Sequence, residues 1–137
     1  MRILVTGSDG FIGRSLVKAL AAAYTVDGDT IYRVDVAEPA ATRLVFDEIT
    51  YRQCDIVREP LETWVPASLD WIVHLAAAPW SPVTTDYDRW TVNSLGALRA
   101  CEAAQRTGAK LLLASSAQVY GVPRYGPQAE HDLPNLP

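Results

Sequence analysis

The sequence predicts an α/β chain built on a parallel, doubly wound sheet, and three observations lead there. A short β-branched run, Arg2 to Thr6, is followed by glycines at 7, 10 and 13 and then by apolar residues at helical spacing. Further apolar runs recur along the chain, alternating with helical or turn-rich segments. Strands that alternate with helices are joined by right-handed crossovers and lie parallel. With the first strand central, the order becomes 3-2-1-4-5.

Strand 1 covers 2–6, and Ile12, Leu16, Leu20 and Ala23 place a helix over 11–23. Thr30 to Val36 is strand 2. Ile49, Tyr51 and Gln53 alternate with Thr50, Arg52 and Cys54 in strand 3. A short helical segment at 58–65 is closed by Pro66. Asp70 to Ala77 is strand 4, and its near-continuous apolar run suits a strand covered on both faces. Residues 78–84 form a proline-rich loop. Thr85 then starts a helix, with Asp88 placed to complete a capping box. Trp90, Leu98, Cys101 and Ala104 are expected on its inner face, and Gly108 where a helix end wants a left-handed residue. Ala109 to Ser115 is strand 5, and 117–137 reads as loop. No repeat or domain boundary is evident, so 1–137 is read as a single domain.

The glycine spacing carries the chemistry. Gly7 allows a tight turn off the strand, Gly10 lets a pyrophosphate approach the backbone, and Gly13 lets the helix pack closely on the sheet. The free N–H groups and dipole of the helix start favour phosphate charge. The bland alternative is an ordinary strand–turn–helix connection. Asp35, 22 residues after Gly13 and ending strand 2, decides against it. A carboxylate there accepts hydrogen bonds from adenosine ribose hydroxyls and repels a 2′-phosphate, which argues for NAD as cofactor over NADP. Arg33 and Arg43 keep NADP open as the minority alternative.

A net charge of −4 without a Lys/Arg block argues against nucleic acid as partner. No apolar run approaches the ~20 residues of a membrane span, and no signal peptide is recognised at the start. Cys54 and Cys101 are isolated, which suggests core packing in a reducing, cytoplasmic compartment. With His74 and His131 they show no metal-ligand spacing, so no metal is expected. His74 is expected to be a buried, satisfied histidine, and Trp80 a loop aromatic packed on the domain unless it faces a nicotinamide.

Taken in order, six motifs resemble one family: Thr6 to Gly13, Asp35, Cys54-Asp-Ile56, His74-Leu-Ala-Ala77, Asn93-Ser-Leu-Gly96 and Ser115 to Gly121. The chain resembles the amino-terminal part of the extended short-chain dehydrogenases/reductases, the NAD-dependent epimerases and dehydratases of nucleotide sugars. The resemblance implies a Rossmann-type fold and the following roles. Gly7, Gly10, Phe11, Ile12 and Gly13 hold the pyrophosphate, and Asp35 the adenosine ribose. Asp55 and Ile56 flank the adenine, while Leu75, Ala76 and Ala77 line the cofactor where strand 4 ends. Asn93 supports the active-site network, and Ser115 joins the cofactor set. Ser116 is the catalytic serine, hydrogen-bonded to the substrate oxygen that gains or loses a proton during transient hydride transfer. Without the resemblance, Ser115 and Ser116 could simply end a strand, and Asn93 could be a helix-surface residue.

In that family a Tyr-x-x-x-Lys pair supplies the base, and here it does not appear. Tyr125 is followed four positions on by Ala129, and the last lysine is Lys110. The chain is therefore expected to be truncated before strand 6, to lack the carboxy-terminal substrate-binding part, and to be inactive alone. The alternative is a stand-alone, non-catalytic dinucleotide-binding or sensor module. In either case strand 5, with its Leu111–Leu113 run, becomes a sheet edge, and unpaired edges invite pairing. A homodimer joined near that strand is expected.

Overall fold

A computed structural model describes residues 1–23, 29–36, 49–63, 65–121 and 129. Its five strands are β1 Arg2–Thr6, β2 Thr30–Asp35, β3 Ile49–Gln53, β4 Trp71–His74 and β5 Lys110–Leu113. All neighbours pair in parallel, in the order β3-β2-β1-β4-β5, as the sequence predicts. Central β1 pairs Thr6 with Val34 on one side and with His74 on the other, so these three residues mark the carboxyl end of the sheet.

Both faces of the sheet are covered, and alternation along β1 assigns each side chain to one of them. Ile3 and Val5 pack against Val17 of α1 (Phe11–Ala23). Leu4 points the other way, into a core with Val34, Ile56, Leu61, Ile72 and the Ala103–Ala104 pair of α3 (Gly96–Thr107). Burial of a side chain such as Leu4, fully removed from solvent, contributes about 1.5–3 kcal/mol.

Several boundaries differ from those predicted. β4 is shorter than 70–77 because its partner ends: β1 stops at Thr6 and turns away at Gly7. Beyond His74 the hydrogen bonds that continue the contact among the described residues are Leu75 N–H to Thr6 O, 3.1 Å, and Ala76 N–H to Thr6 Oγ1, 3.3 Å. β5 is shorter than 109–115 for the same reason, with Ala114 N–H to His74 O as its last bond to β4. β2 and β3 each lose their final predicted residue. The helix expected over 58–65 is instead a turn followed by a single 3-10 turn, Leu61–Thr63. Pro60 accounts for this, since the residue before a proline is pushed away from helical geometry. In the expected loop 117–137, Ala117–Tyr120 form a 3-10 turn; beyond Gly121 only Ala129 is described.

The long helix after Thr85 is three pieces: α2 (Asp86–Trp90), a π turn at Thr91–Leu95, and α3. The capping box forms as expected, with Thr85 Oγ1 accepting from Asp88 N–H at 3.1 Å and Asp88 Oδ2 accepting from Thr85 N–H at 3.1 Å. The hydroxyl bond from Thr85 holds the Asp88 carboxyl below its ordinary pKa. Gly108 ends α3 at φ 71°, also as expected. The predicted inner face is corrected: Trp90, Leu98 and Cys101 are exposed, and of the four only Ala104 is buried. Small residues take their place, Gly96, Ala100, Ala103, Ala104 and Thr107, because a helix lying this close to the sheet has no room for larger ones. Gly96 shows the closeness, since a Cβ there would be 3.7 Å from His74 Cε1 of β4 and 3.0 Å from Ile56 Cδ1 in the turn after β3. The expected core packing of both cysteines holds for Cys54 alone. Trp80 is likewise exposed and does not pack on the domain.

Candidate functional site

The site grows out of the turn after β1. Gly7 has φ +67°, a conformation that suits glycine, and a Cβ on it would lie 2.6 Å from Ala76 N. The loop therefore runs directly over the residues that follow β4. Gly13 is as constrained, because its Cβ would fall 2.1 Å from Gly7 O. Gly10 differs: it is exposed, and a Cβ there would meet only Gly7 O at 3.2 Å. These contacts bring the first turn of α1, whose leading N–H groups lack partners within the helix, to the carboxyl end of the sheet.

A cavity of about 340 Å³ opens there. Gly7, Gly10 and Arg14 form one wall, Asp35 and Asp55 stand at its polar side, and Ile56, Leu75, Ala76 and Ala77 supply apolar surface. Of the sequence-predicted residues, eight thus share one cavity. The others lie outside its lining. Gly13 is buried beneath the loop, while Phe11 and Ile12 are 95% and 61% exposed, leaving their backbone N–H groups as what they can offer a phosphate. Asn93 sits in the π turn and clamps the chain after β4: its Oδ1 accepts from Ala78 N–H at 2.8 Å. Ser115 and Ser116 are exposed past the end of β5, and Ser116 Oγ accepts from Gln118 N–H at 3.2 Å to start the 3-10 turn.

The supporting bonds are specific. Asp35 Oδ2 accepts from Asp9 N–H at 2.8 Å, which ties the glycine loop to the end of β2. Asp55 Oδ1 accepts from Val57 N–H at 3.0 Å, and its other oxygen faces Arg58 Nε at 3.4 Å. Thr6 Oγ1 lies 2.7 Å from His74 Nδ1 and also accepts from Ala76 N–H. His74 is buried and satisfied, as expected, and its burial holds the imidazole below its usual pKa of 6.5.

Sequence reasoning missed Asp9 and Arg14 and gave Arg33 another role. Asp9 and Arg14 line the cavity, and Arg33 is buried beside Asp9, with its Nη2 2.8 Å from Asp9 Oδ1. The signal for Arg33 was present: a charged residue inside a strand flanked by buried Ile31 and Val34 demands a counterion. That bond also commits Arg33, which the sequence left as a possible 2′-phosphate ligand; Arg43 lies outside the described residues.

A glycine loop turning into a helix N-terminus, an acidic residue closing the second strand and an apolar trough define a dinucleotide-binding α/β domain. The residues fit such a cofactor: exposed Gly10 leaves the backbone open where a phosphate needs it, and the trough suits flat rings. The profile of the NAD dependent epimerase/dehydratase family matches residues 3–137, and the chain belongs to that family. NAD, the cofactor expected from Asp35, is thus the one the family depends on. UDP-glucuronic acid decarboxylase 1 of Xenopus tropicalis is 34% identical over 132 residues, which are 94% of this chain and 30% of that protein. The chain thus spans under a third of this relative. A UDP-galactose 4-epimerase structure superposes with a TM-score of 0.81 at 27% identity, covering 99% of this chain and 45% of the other. A UDP-glucuronic acid 4-epimerase mutant from Bacillus cereus, in complex with NAD and UDP-4-deoxy-4-fluoro-glucuronic acid, gives 0.75 at 25%, covering 99% and 46%.

Proposed function

We propose that this chain is the NAD-binding part of a nucleotide-sugar epimerase/dehydratase-like oxidoreductase. The observation that carries the reading is the single cavity uniting Gly7, Gly10, Asp35 and Asp55 at the strand ends. NAD, when bound, supplies a nicotinamide that accepts a hydride from a substrate carbon and returns it. The backbone of Gly7, Gly10, Phe11, Ile12 and Gly13 would hold the pyrophosphate. Asp35 would take the ribose hydroxyls, Asp55 and Ile56 the adenine, and Leu75–Ala77 would exclude water along the trough. Asn93 would fix the loop at Ala78, Ser115 would border the cofactor, and Ser116 would hold the substrate oxygen. A UDP-linked sugar as substrate is supported by the relatives, which act on UDP-glucuronic acid or UDP-galactose. A cytoplasmic setting suits a chain whose two cysteines are isolated in sequence, with Cys54 packed in the core. The incomplete single domain expected over 1–137 belongs to the same reading.

Self-association through β5 completes it. Among the described strands β5 is a sheet edge, and Leu112 and Leu113 are 49% and 48% exposed. Strand β3, the other edge, carries Arg52 and Gln53 outward and is better protected.

Hydrogen exchange with and without NAD tests the site. Protection is expected at 7–14, 34–36, 54–57 and 75–77. Protection elsewhere, or none, would contradict the assignment.

A further inference from the structure

The rim of the cavity carries a charge arrangement that a ribose-binding carboxylate alone does not require. Arg33 and Asp35 are two apart on β2 and so belong to one face of the sheet, the face shared with Val5 and covered by α1. Arg33 pairs in register with Tyr51 of β3, and its guanidinium carbon lies 4.6 Å from the centre of that ring. It is 6% exposed, and its Nη2 donates to Asp9 Oδ1 at 2.8 Å. Asp9 in turn donates its backbone N–H to Asp35 Oδ2. Asp9 and Asp35 line the cavity, and Arg33 does not.

The ion pair is incomplete. Arg33 Nε and Asp9 Oδ2 are both buried without a hydrogen-bond partner among the described residues. Arginine and carboxylate commonly close such a pair with two parallel bonds; here one donor and one acceptor are left over. A guanidinium buried to this degree needs an anion beside it, and among the described residues its ion pair is with Asp9.

We propose that Asp9 is a specificity-determining residue for the cofactor: by pinning Arg33 beneath the glycine loop, it withholds that cation from the adenosine ribose and leaves the rim net negative. The inference rests on reading the cavity as a dinucleotide site. Among the described residues, the carboxylates of Asp9, Asp35 and Asp55 stand against the guanidiniums of Arg14 and Arg33, which leaves one net negative charge to accept ribose hydroxyls and repel a 2′-phosphate. With Asp9 neutral that count falls to zero, and Arg33 has lost the carboxylate it is paired with. A 2′-phosphate then supplies one. Arg14, the other arginine lining the cavity, stands on the first turn of α1 and is unchanged throughout the test.

The test is calorimetric titration of the 137-residue chain and its variants with NAD and with NADP. Asp9→Asn keeps the shape, the backbone bond to Asp35 and an oxygen for Arg33, and removes only charge. It is expected to lower the preference for NAD on the order of tenfold, mainly through tighter NADP binding. Adding Arg33→Met to Asp9→Asn is expected to abolish that gain. An Asp9→Asn preference within about twofold of the parent, or a gain that survives loss of Arg33, would overturn the inference. Should Asp9→Asn fail to fold, Arg33→Met alone decides: it should keep NAD binding and reject NADP at least as strongly as the parent, and a gain in NADP affinity would overturn the idea. A parent chain that binds neither dinucleotide would instead overturn the proposed function, and this inference with it.

Discussion

Substituting alanine at Gly13 and at Gly10 should separate the fold from the site. A Cβ on Gly13 would lie 2.1 Å from Gly7 O, 2.8 Å from Ser8 Cα and 2.9 Å from Ser8 C, all backbone atoms that cannot rotate away. Restoring ordinary contact, 3.4 Å or more, requires the start of α1 to move off the loop by over an ångström. Overpacking of this kind costs about 1–3 kcal/mol, and rigid neighbours place Gly13→Ala at the upper end. With a urea dependence of about 1–3 kcal/mol per molar, its unfolding midpoint should drop by roughly 1–3 M. Gly108→Ala is the control for backbone strain alone: φ is +71° and nothing lies within 4 Å, so it should cost only about 1–2 kcal/mol. Gly10→Ala meets one oxygen at 3.2 Å at an unstrained φ and should cost under about 1 kcal/mol. That same methyl occupies the surface a pyrophosphate must approach, so Gly10→Ala should fold and lose NAD binding. Urea unfolding followed by circular dichroism, with NAD titration of each folded variant, checks all three. A Gly13→Ala midpoint no lower than that of Gly108→Ala, or a Gly10→Ala chain that binds NAD normally, would refute the geometry.

His74 is neutral when folded, and its pKa is lowered by burial, so the unfolded chain binds the extra proton first as pH falls. Stability should be level well above pH 6.5 and fall below it, by at most about 1.4 kcal/mol per pH unit, until the folded-state pKa is passed. Urea midpoints across this range measure it, and a chain more stable on the acid side would contradict the sign. Thr85→Ala removes the hydroxyl half of the capping box, leaving the backbone bond from residue 85 to Asp88, and should cost about 1 kcal/mol, read from thermal or urea unfolding, with no loss meaning that the hydroxyl is idle. Leu112→Lys should shift any dimer to monomer in sedimentation; a parent chain that stays monomeric at high concentration would refute pairing through β5.

Topology was legible because its determinants are local. β-branched runs, the three glycines, Gly108 and the Thr85–Asp88 box each punctuate the chain where the structure has a boundary. Strand ends were less so, because Leu75 to Ala77 remain apolar after their ladder partner has turned away; they line the cavity and pair with no strand among the described residues. The π turn left no sequence signature. It follows exposed Trp90, and the α3 residues that meet the sheet are the small ones. Of the cavity-lining residues, Gly7, Gly10 and Asp35 came from motif spacing, Asp55, Ile56 and Leu75 to Ala77 from the family resemblance, and Asp9 and Arg14 from neither. The Arg33–Asp9 pair joins residues 24 apart, and only the fold brings them together.

The most direct measurement is calorimetric titration of the parent chain and of Asp35→Ala with NAD and NADP. Asp35 holds the loop through Asp9 N–H and faces the cavity beside Asp55. Its carboxylate is the group assigned to the ribose hydroxyls. The parent should bind NAD in preference to NADP, and Asp35→Ala should weaken NAD by roughly tenfold, the scale of a lost charge-assisted hydrogen bond. A parent that prefers NADP, or an Asp35→Ala chain that binds NAD unchanged, would contradict the assignment.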